Sequence, residues 1–322
     1  MTKQLCIICS QPCTMTVEHV YPQAIGGGFE LSNVCKSCNN HLGEYVDNAL
    51  TDHLLIKLKR FSLKIPGQKG TVPNPITSTS EDEQGYKSVF ETNREGDIKG
   101  FRQLPRIRDL GDNKFEFSVD NKDSKLLLPM IKKHLLRKGI TPPPDNVLLA
   151  STMTRESAST VSHNFKGDAI EFHRPVVKIA FELALAWLGE AYLADDTAMR
   201  IKDFLFDKRT VAEIDAAYRI EGQITLQAPT SPGLDYCWDE VWRNEEHLHI
   251  GMLHPDSTGL WAMIRIFNTV YGSVRLSPRA EWPGVFPRLI VLDSLTRKYS
   301  EFAGQSQIAV EMHRQATLKN NA

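Results

Sequence analysis

The sequence has no excess of either charge: 38 lysines and arginines against 39 acidic residues leave a formal net charge of −1 over 322 residues. A positive field over the whole molecule is thereby excluded, and any contact with nucleic acid has to rest on a local patch. A long hydrophobic run is also lacking. The most apolar stretch, IAFELALAWLGEAYLA at 179–194, contains Glu182 and Glu190 and is flanked by Arg174 and Lys178. It is too short and too charged to cross a bilayer and reads as a buried helix, so no membrane partner is expected. The opening MTKQLCIICSQP has no apolar segment of the secretory kind, and a cytoplasmic location is expected. Neither a repeat of 20–50 residues nor a long low-complexity tract is present. Cysteine is nearly absent beyond position 38: five of the six lie before it or at it. In a reducing compartment that clustering favours metal binding over disulfides.

What is present is enough for a folded chain. Hydrophobic residues make up 41 % of the sequence, which supplies a core for one large domain or two ordinary ones. Residues 1–63 form a first block that ends in an expected helix, HLGEYVDNALTDHLLIKLKRFSL, whose Val46, Leu50, Leu54 and Leu58 fall on one stripe. KIPGQKGTVPNPITSTSEDEQG, residues 64–85, reads as a linker or irregular loop. Residues 86–322 read as a larger α+β domain. Its expected strands are YKSVFET, KFEFSVD and a short NVLLAST; its expected helices are 121–139, with a kink or late start at Pro129, then RPVVKIAFELALAWLGEAYL as the longest, and TAMRIKDFLF. HLHIGMLHP, GLWAMIRIF, GSVRLSP and PRLIVLDS follow as a C-terminal antiparallel meander.

The chemistry is concentrated near the start. Cys6 and Cys9, then Cys35 and Cys38, are two Cys-x-x-Cys knuckles, and a two-residue gap lets both sulfurs of a pair face one ion. Four thiolates make a closed structural zinc site. Cys13 is an alternative to Cys9 or a further thiol nearby. The chain between the knuckles reads TVEHVYPQAIGGGFELSNV, with an acidic residue fused to a histidine, a proline three residues on, three glycines, an asparagine, and a second asparagine directly after Cys38.

On these residues the first 60 or so positions resemble the HNH endonucleases, and among them the members whose motif is stapled by two cysteine pairs. The resemblance implies a zinc-stapled ββα-metal module. It implies His19 as general base, Glu18 and Asn39 as ligands of a catalytic divalent ion such as Mg²⁺, and Asn33 as a support for the loop carrying the histidine. Only Val34 separates Asn33 from Cys35, fewer residues than the family commonly has. The residue types suit the chemistry: histidine titrates near pH 6.5 and activates water at working pH, while oxygen donors suit a hard cation. Gly26, Gly27 and Gly28 are expected to turn the chain back, a role that favours positive φ, with a flexible tip as the alternative.

The function expected from the resemblance is metal-dependent hydrolysis of phosphodiester bonds, with double-stranded DNA as the first partner and restriction or anti-phage defence as the setting. The alternatives are a non-catalytic zinc-stabilised nucleic-acid-binding or regulatory protein and an RNA-directed nuclease. A homo-oligomer and a small-molecule or protein trigger acting on the C-terminal part are further expectations. His41, Lys57, Lys59 and Arg60 are weaker candidates for phosphate contacts, against the plainer reading of a helix histidine and a solvated helix end. Lys122, Lys125, Lys132, Lys133, Arg137 and Lys138 make a second basic stretch that reads first as a solvated face. His247, His249 and His254 lack the further ligands of a second metal site, and Trp238, Trp242, Trp261 and Trp282 read as core before they read as a base-stacking pocket.

Overall fold

The computed structural model describes residues 4–150, 161–162, 168–226 and 241–320. The chain divides into two compact units, one formed by Met1–Pro73 together with Gly167–Ala322 and the other by Asn74–Lys166. This division differs from the reading of 1–63 and 86–322 as separate domains. Val20, Tyr21, Ile25 and Val46 from the first block share one hydrophobic core with Phe181 and Leu183 of the middle of the chain and Ile290 of its last third. The passage between units falls within 64–85, at Pro73.

The chain begins with a short antiparallel pair, β1 (Gln4–Leu5) and β2 (Pro12–Cys13). β3 (Met15–His19) then pairs antiparallel with β4 (Glu30–Cys35), and α1 (Lys36–Leu42) follows β4 directly. A π-turn at Gly43–Asp47 leads into α2 (Asn48–Asp52), and the helix breaks at His53 before α3 (Leu54–Ser62). His53 is extended, and its Nδ1 accepts the Leu55 N–H at 3.2 Å as an N-cap. The break resets the helical phase. Val46 and Leu50 are buried, but Ile56 replaces Leu54 and Leu58 on the inner face, and Leu58 is exposed.

The second unit carries a sheet whose strands β5 (Ser80–Asp82), β6 (Lys87–Thr92) and β7 (Ile98–Gln103) are neighbours in that order. A separate hairpin, β8 (Arg106–Gly111) and β9 (Lys114–Ser118), precedes a 3-10 turn at Asn121–Leu126 and α4 (Leu127–Arg137). The helix thus starts late, with Pro129 in its first turn, where its missing N–H leaves no bond unmade. The strand expected from NVLLAST is corrected: α5 (Asp145–Leu149) is helical, because Pro144 and Asp145 supply helix-start chemistry. β10 (Val161–Ser162) closes the sheet beside β5.

The first unit resumes with α6 (His173–Leu188), α7 (Glu190–Leu193), α8 (Asp196–Phe206) and α9 (Val211–Tyr218). A six-stranded antiparallel sheet follows, built from β11 (Gly222–Thr225), β12 (Leu248–Asp256), β13 (Gly259–Ile266), β14 (Val270–Ser277), β15 (Arg288–Asp293) and β16 (Tyr299–Ala303). Its strand order is β11-β14-β13-β12-β15-β16, so the expected C-terminal meander is its centre. α6 is buried along nearly its whole length and packs on β12, β13 and β14. α10 (Gly304–Asn320), which has 17 residues against 16 in α6, is the longest described helix and was not expected; its Ile308 joins a second cluster with Trp242, Ile250 and Met252. Both faces of the central strands are therefore covered. Among the described residues no helix is long and apolar enough to cross a membrane.

Candidate active site and zinc centre

The two knuckles converge. The ligand atoms of Cys6, Cys9, Cys35 and Cys38 lie within 4.8 Å of one another, with Sγ–Sγ separations of 3.9 Å for Cys6–Cys38 and 3.8 Å for Cys9–Cys35. A tetrahedron with Zn–S bonds of about 2.3 Å has an edge of about 3.8 Å. The separations match that edge and are far too long for disulfides. Backbone amides complete the site: the Cys35 N–H points at Cys6 Sγ at 3.3 Å and the Cys38 N–H at Cys35 Sγ at 3.4 Å, where α1 begins. The residues present fit structural zinc. Cys13, on β2, stands outside this group.

β3 carries Glu18 and His19 side by side, so their side chains leave opposite faces of the strand. His19 is partly open, its side chain 23 % exposed, and sits in register with Glu30 across the hairpin. Its Nδ1 is enclosed, makes no hydrogen bond, and faces Glu30 Oε1 at 3.6 Å. Burial holds the imidazole below its ordinary pKa, against the opposing pull of Glu30 and Glu18, so the ring is neutral at pH 7.

Glu18 points the other way. It is 3 % exposed, and its Oε1 lies 2.7 Å from Nζ of Lys178, which is fully buried on α6. The same ammonium lies 3.0 Å from Glu182 and 3.4 Å from Asp47, and it donates to the backbone carbonyl of His19 at 2.6 Å. Burial lowers the affinity of Lys178 for its proton, but Asp47, Glu182 and Glu18 together outweigh that and raise its pKa. Burial pushes Asp47 up to about 6 despite Lys178, and pushes Glu182 well above the usual carboxylate range. Asp47, Lys178 and Glu182 were not among the sequence candidates. The available signal was a lysine and a glutamate four apart inside the most apolar helix of the chain, a pair that has to find buried partners.

Asn39, at the start of α1, donates from Nδ2 to the Val17 carbonyl at 2.5 Å and to Thr16 Oγ1 at 3.2 Å. A carbonyl partner fixes which end of the amide is nitrogen. Asn39 therefore ties the helix to β3 one residue before Glu18. Asn33 lends its backbone carbonyl to the Ile7 N–H at 2.9 Å, while its side-chain oxygen is enclosed without a hydrogen bond. The main chain on either side of the Glu18 carboxylate is held by Asn39 Nδ2 on the Val17 carbonyl and by Lys178 Nζ on the His19 carbonyl. The Glu18–Asn39 pair does not fit an open divalent-cation site in this arrangement, since the carboxylate is sealed and already holds an ammonium.

The glycines are not a flexible tip. Gly26 has φ +88°, and a Cβ added to Gly26, Gly27 or Gly28 would collide with the carbonyl of Ser294, Tyr21 or Arg297 respectively. The chain passes here against the β15–β16 turn too closely for any side chain.

The weaker candidates have partners elsewhere. His41 Nε2 is 3.1 Å from the Leu205 carbonyl, and its ring is stacked between Tyr45 and Phe206. Lys57 pairs with Asp52 at 3.0 Å, Lys59 with Glu246 at 2.9 Å, and Arg60 is buried. In the second basic stretch Lys122, Lys132 and Lys138 pair with Glu91, Asp145 and Asp109. Trp242 and Trp282 are core, and Trp238 lies outside the described residues. Among the described residues only the four cysteines form a group of histidine, cysteine or acidic ligands close enough to hold one ion, so His247, His249 and His254 do not make a second site.

Neither the curated proteins nor the solved structures contain a match to this chain. The stretch that folds around the two cysteine pairs, residues 6–55, matches the family model described as HNH endonuclease, so this part of the chain is an HNH domain.

Proposed function

We propose that this protein is an endonuclease that hydrolyses phosphodiester bonds in nucleic acid, DNA in the first place, with His19 as the general base. The observation that carries the reading is the setting of His19: a partly exposed imidazole, held below its ordinary pKa by burial, on a strand tied down from both sides. A proton on Nδ1 directed at Glu30 leaves Nε2 to accept one from water, the division of roles a general base requires. As that water attacks phosphorus its proton passes to Nε2, the bond to the leaving sugar oxygen breaks, and that oxygen takes a proton from solvent water. Restriction or anti-phage defence is the setting we propose, on the resemblance to the HNH endonucleases.

The test is incubation of purified full-length protein with supercoiled plasmid and with single-stranded RNA, in Mg²⁺, Mn²⁺ or chelator, alongside His19→Ala. The expected result is plasmid cleavage that falls by about 10²–10⁴ in the variant. Equal cleavage by both proteins would remove the base, and preferential RNA cleavage would replace the substrate.

The sealed Glu18 favours one competing reading, a zinc-stabilised nucleic-acid-binding protein without catalysis. It requires salt-dependent DNA binding, no cleavage in any metal, and indifference to His19→Ala.

A further inference from the structure

Lys178 lies outside the stretch that matches the HNH family, 159 residues from His19, yet all but one of the groups on its ammonium belong to that stretch. Its neighbours are Glu18 Oε1 at 2.7 Å, Glu182 Oε2 at 3.0 Å, Asp47 at 3.4 Å, and the carbonyls of His19 and Val20 at 2.6 and 3.4 Å. The site is closed to bulk solvent, with Lys178 and Glu182 fully buried and Glu18 nearly so. A buried ammonium costs several kcal/mol unless it is paired and hydrogen-bonded, and this one is both. Two of its partners come from consecutive residues of β3, the Glu18 carboxylate and the main chain of His19. Holding those two points fixes the backbone from which the imidazole projects.

The three carboxylates do not build a cation cage of their own. Among the described residues the only set of histidine, cysteine and acidic atoms close enough for one ion is the zinc centre. Glu18, Asp47 and Glu182 instead converge on nitrogen, and Lys178 Nζ stands at the carboxylate where the resemblance implies a divalent metal.

We infer that Lys178 is the positioning residue of this HNH domain: its ammonium holds the His19 main chain and the Glu18 carboxylate, and Glu18 acts through Lys178 and not as the ligand of a divalent ion. This rests on the nuclease reading of His19 for its kinetic part and on geometry alone for Glu18.

The experiment uses the full chain as wild type, Lys178→Met, Glu18→Gln and His19→Ala, each checked for zinc content and thermal melting. Mn²⁺ binding is titrated by electron paramagnetic resonance, and kcat and KM are measured on a DNA substrate. Lys178→Met and Glu18→Gln are expected to lower kcat at least tenfold with KM within threefold of wild type. Glu18→Gln is expected to leave Mn²⁺ binding, or its absence, unchanged within twofold. A tenfold or larger loss of Mn²⁺ affinity in Glu18→Gln would put the ion on the carboxylate and overturn the inference, as would wild-type kcat in Lys178→Met. Should Lys178→Met fail to fold, Glu18→Gln, which keeps the side-chain volume, decides both points. Cleavage that survives His19→Ala, or no cleavage by wild type, defeats the nuclease reading and leaves the Mn²⁺ titration to decide the role of Glu18.

Discussion

His249 on β12 donates from Nε2 to the carbonyl of Ile25, 2.9 Å away, just ahead of the three glycines. Its Nδ1 accepts the Phe267 N–H at 3.1 Å, so the proton is on Nε2 and the ring is neutral. Burial lowers its pKa from 6.5 to about 4. Between those values the unfolded chain binds the proton and the folded one does not, so stability rises with pH through this window and is lost on acidification. The loss is roughly 2 kcal/mol between about pH 7 and about pH 5, and roughly 3 kcal/mol by about pH 4. Urea denaturation across this range is expected to show a steeper fall for wild type than for His249→Gln. Parallel slopes would show that the buried ring does not govern the effect.

Zinc removal is expected to unfold the N-terminal hairpin. The cysteine cluster closes a loop from Cys6 to Cys38 that contains Glu18 and His19, and binding energy at such sites is folding energy. Elemental analysis of the purified protein is expected to give one zinc per chain, and Cys38→Ser to lose it together with a cooperative thermal transition. A variant with neither zinc nor any change in melting would refute the structural role.

Gly27→Ala places a methyl group against the Tyr21 carbonyl. Backbone on both sides has to move, at a cost of about 1–3 kcal/mol. The midpoint of urea unfolding is expected to drop accordingly, and an unchanged midpoint would mean that the turn is as loose as a flexible tip.

Lys57→Ala and Lys59→Ala are expected to change DNA affinity by less than about twofold, because Asp52 and Glu246 already neutralise these side chains. A fluorescence-anisotropy titration at two salt concentrations checks this. A large loss with a shallower salt dependence would restore them as phosphate contacts.

The parts of this fold that were legible in the sequence are those whose cause is local. Two-residue gaps announce the zinc knuckles, Pro, Gly and Asp turn signals announce β12 to β15, and the resemblance carried by Glu18, His19 and Asn39 implies one hairpin and helix. The break at His53 was hidden because a histidine caps that helix where Ser, Thr, Asp or Asn is the usual signal. The strand expected at 146–152 came from weighing apolar residues over the Pro144–Asp145 start signal. The surroundings of Glu18 were out of reach for a different reason. Lys178 and Glu182 meet it only when α6 packs under the hairpin, and no spacing rule spans such a separation. Composition gave one clue, since a lysine and a glutamate inside an apolar helix require partners of opposite sign.

Because the first unit is built from both ends of the chain, a ribosome releases the histidine-bearing hairpin long before the helix that completes it. The emerging segment has its zinc ligands early but lacks the internal cation for Glu18. A hairpin assembled in this order gathers its four cysteines before its buried glutamate has a counter-ion, and gains that ion only once α6 has been made.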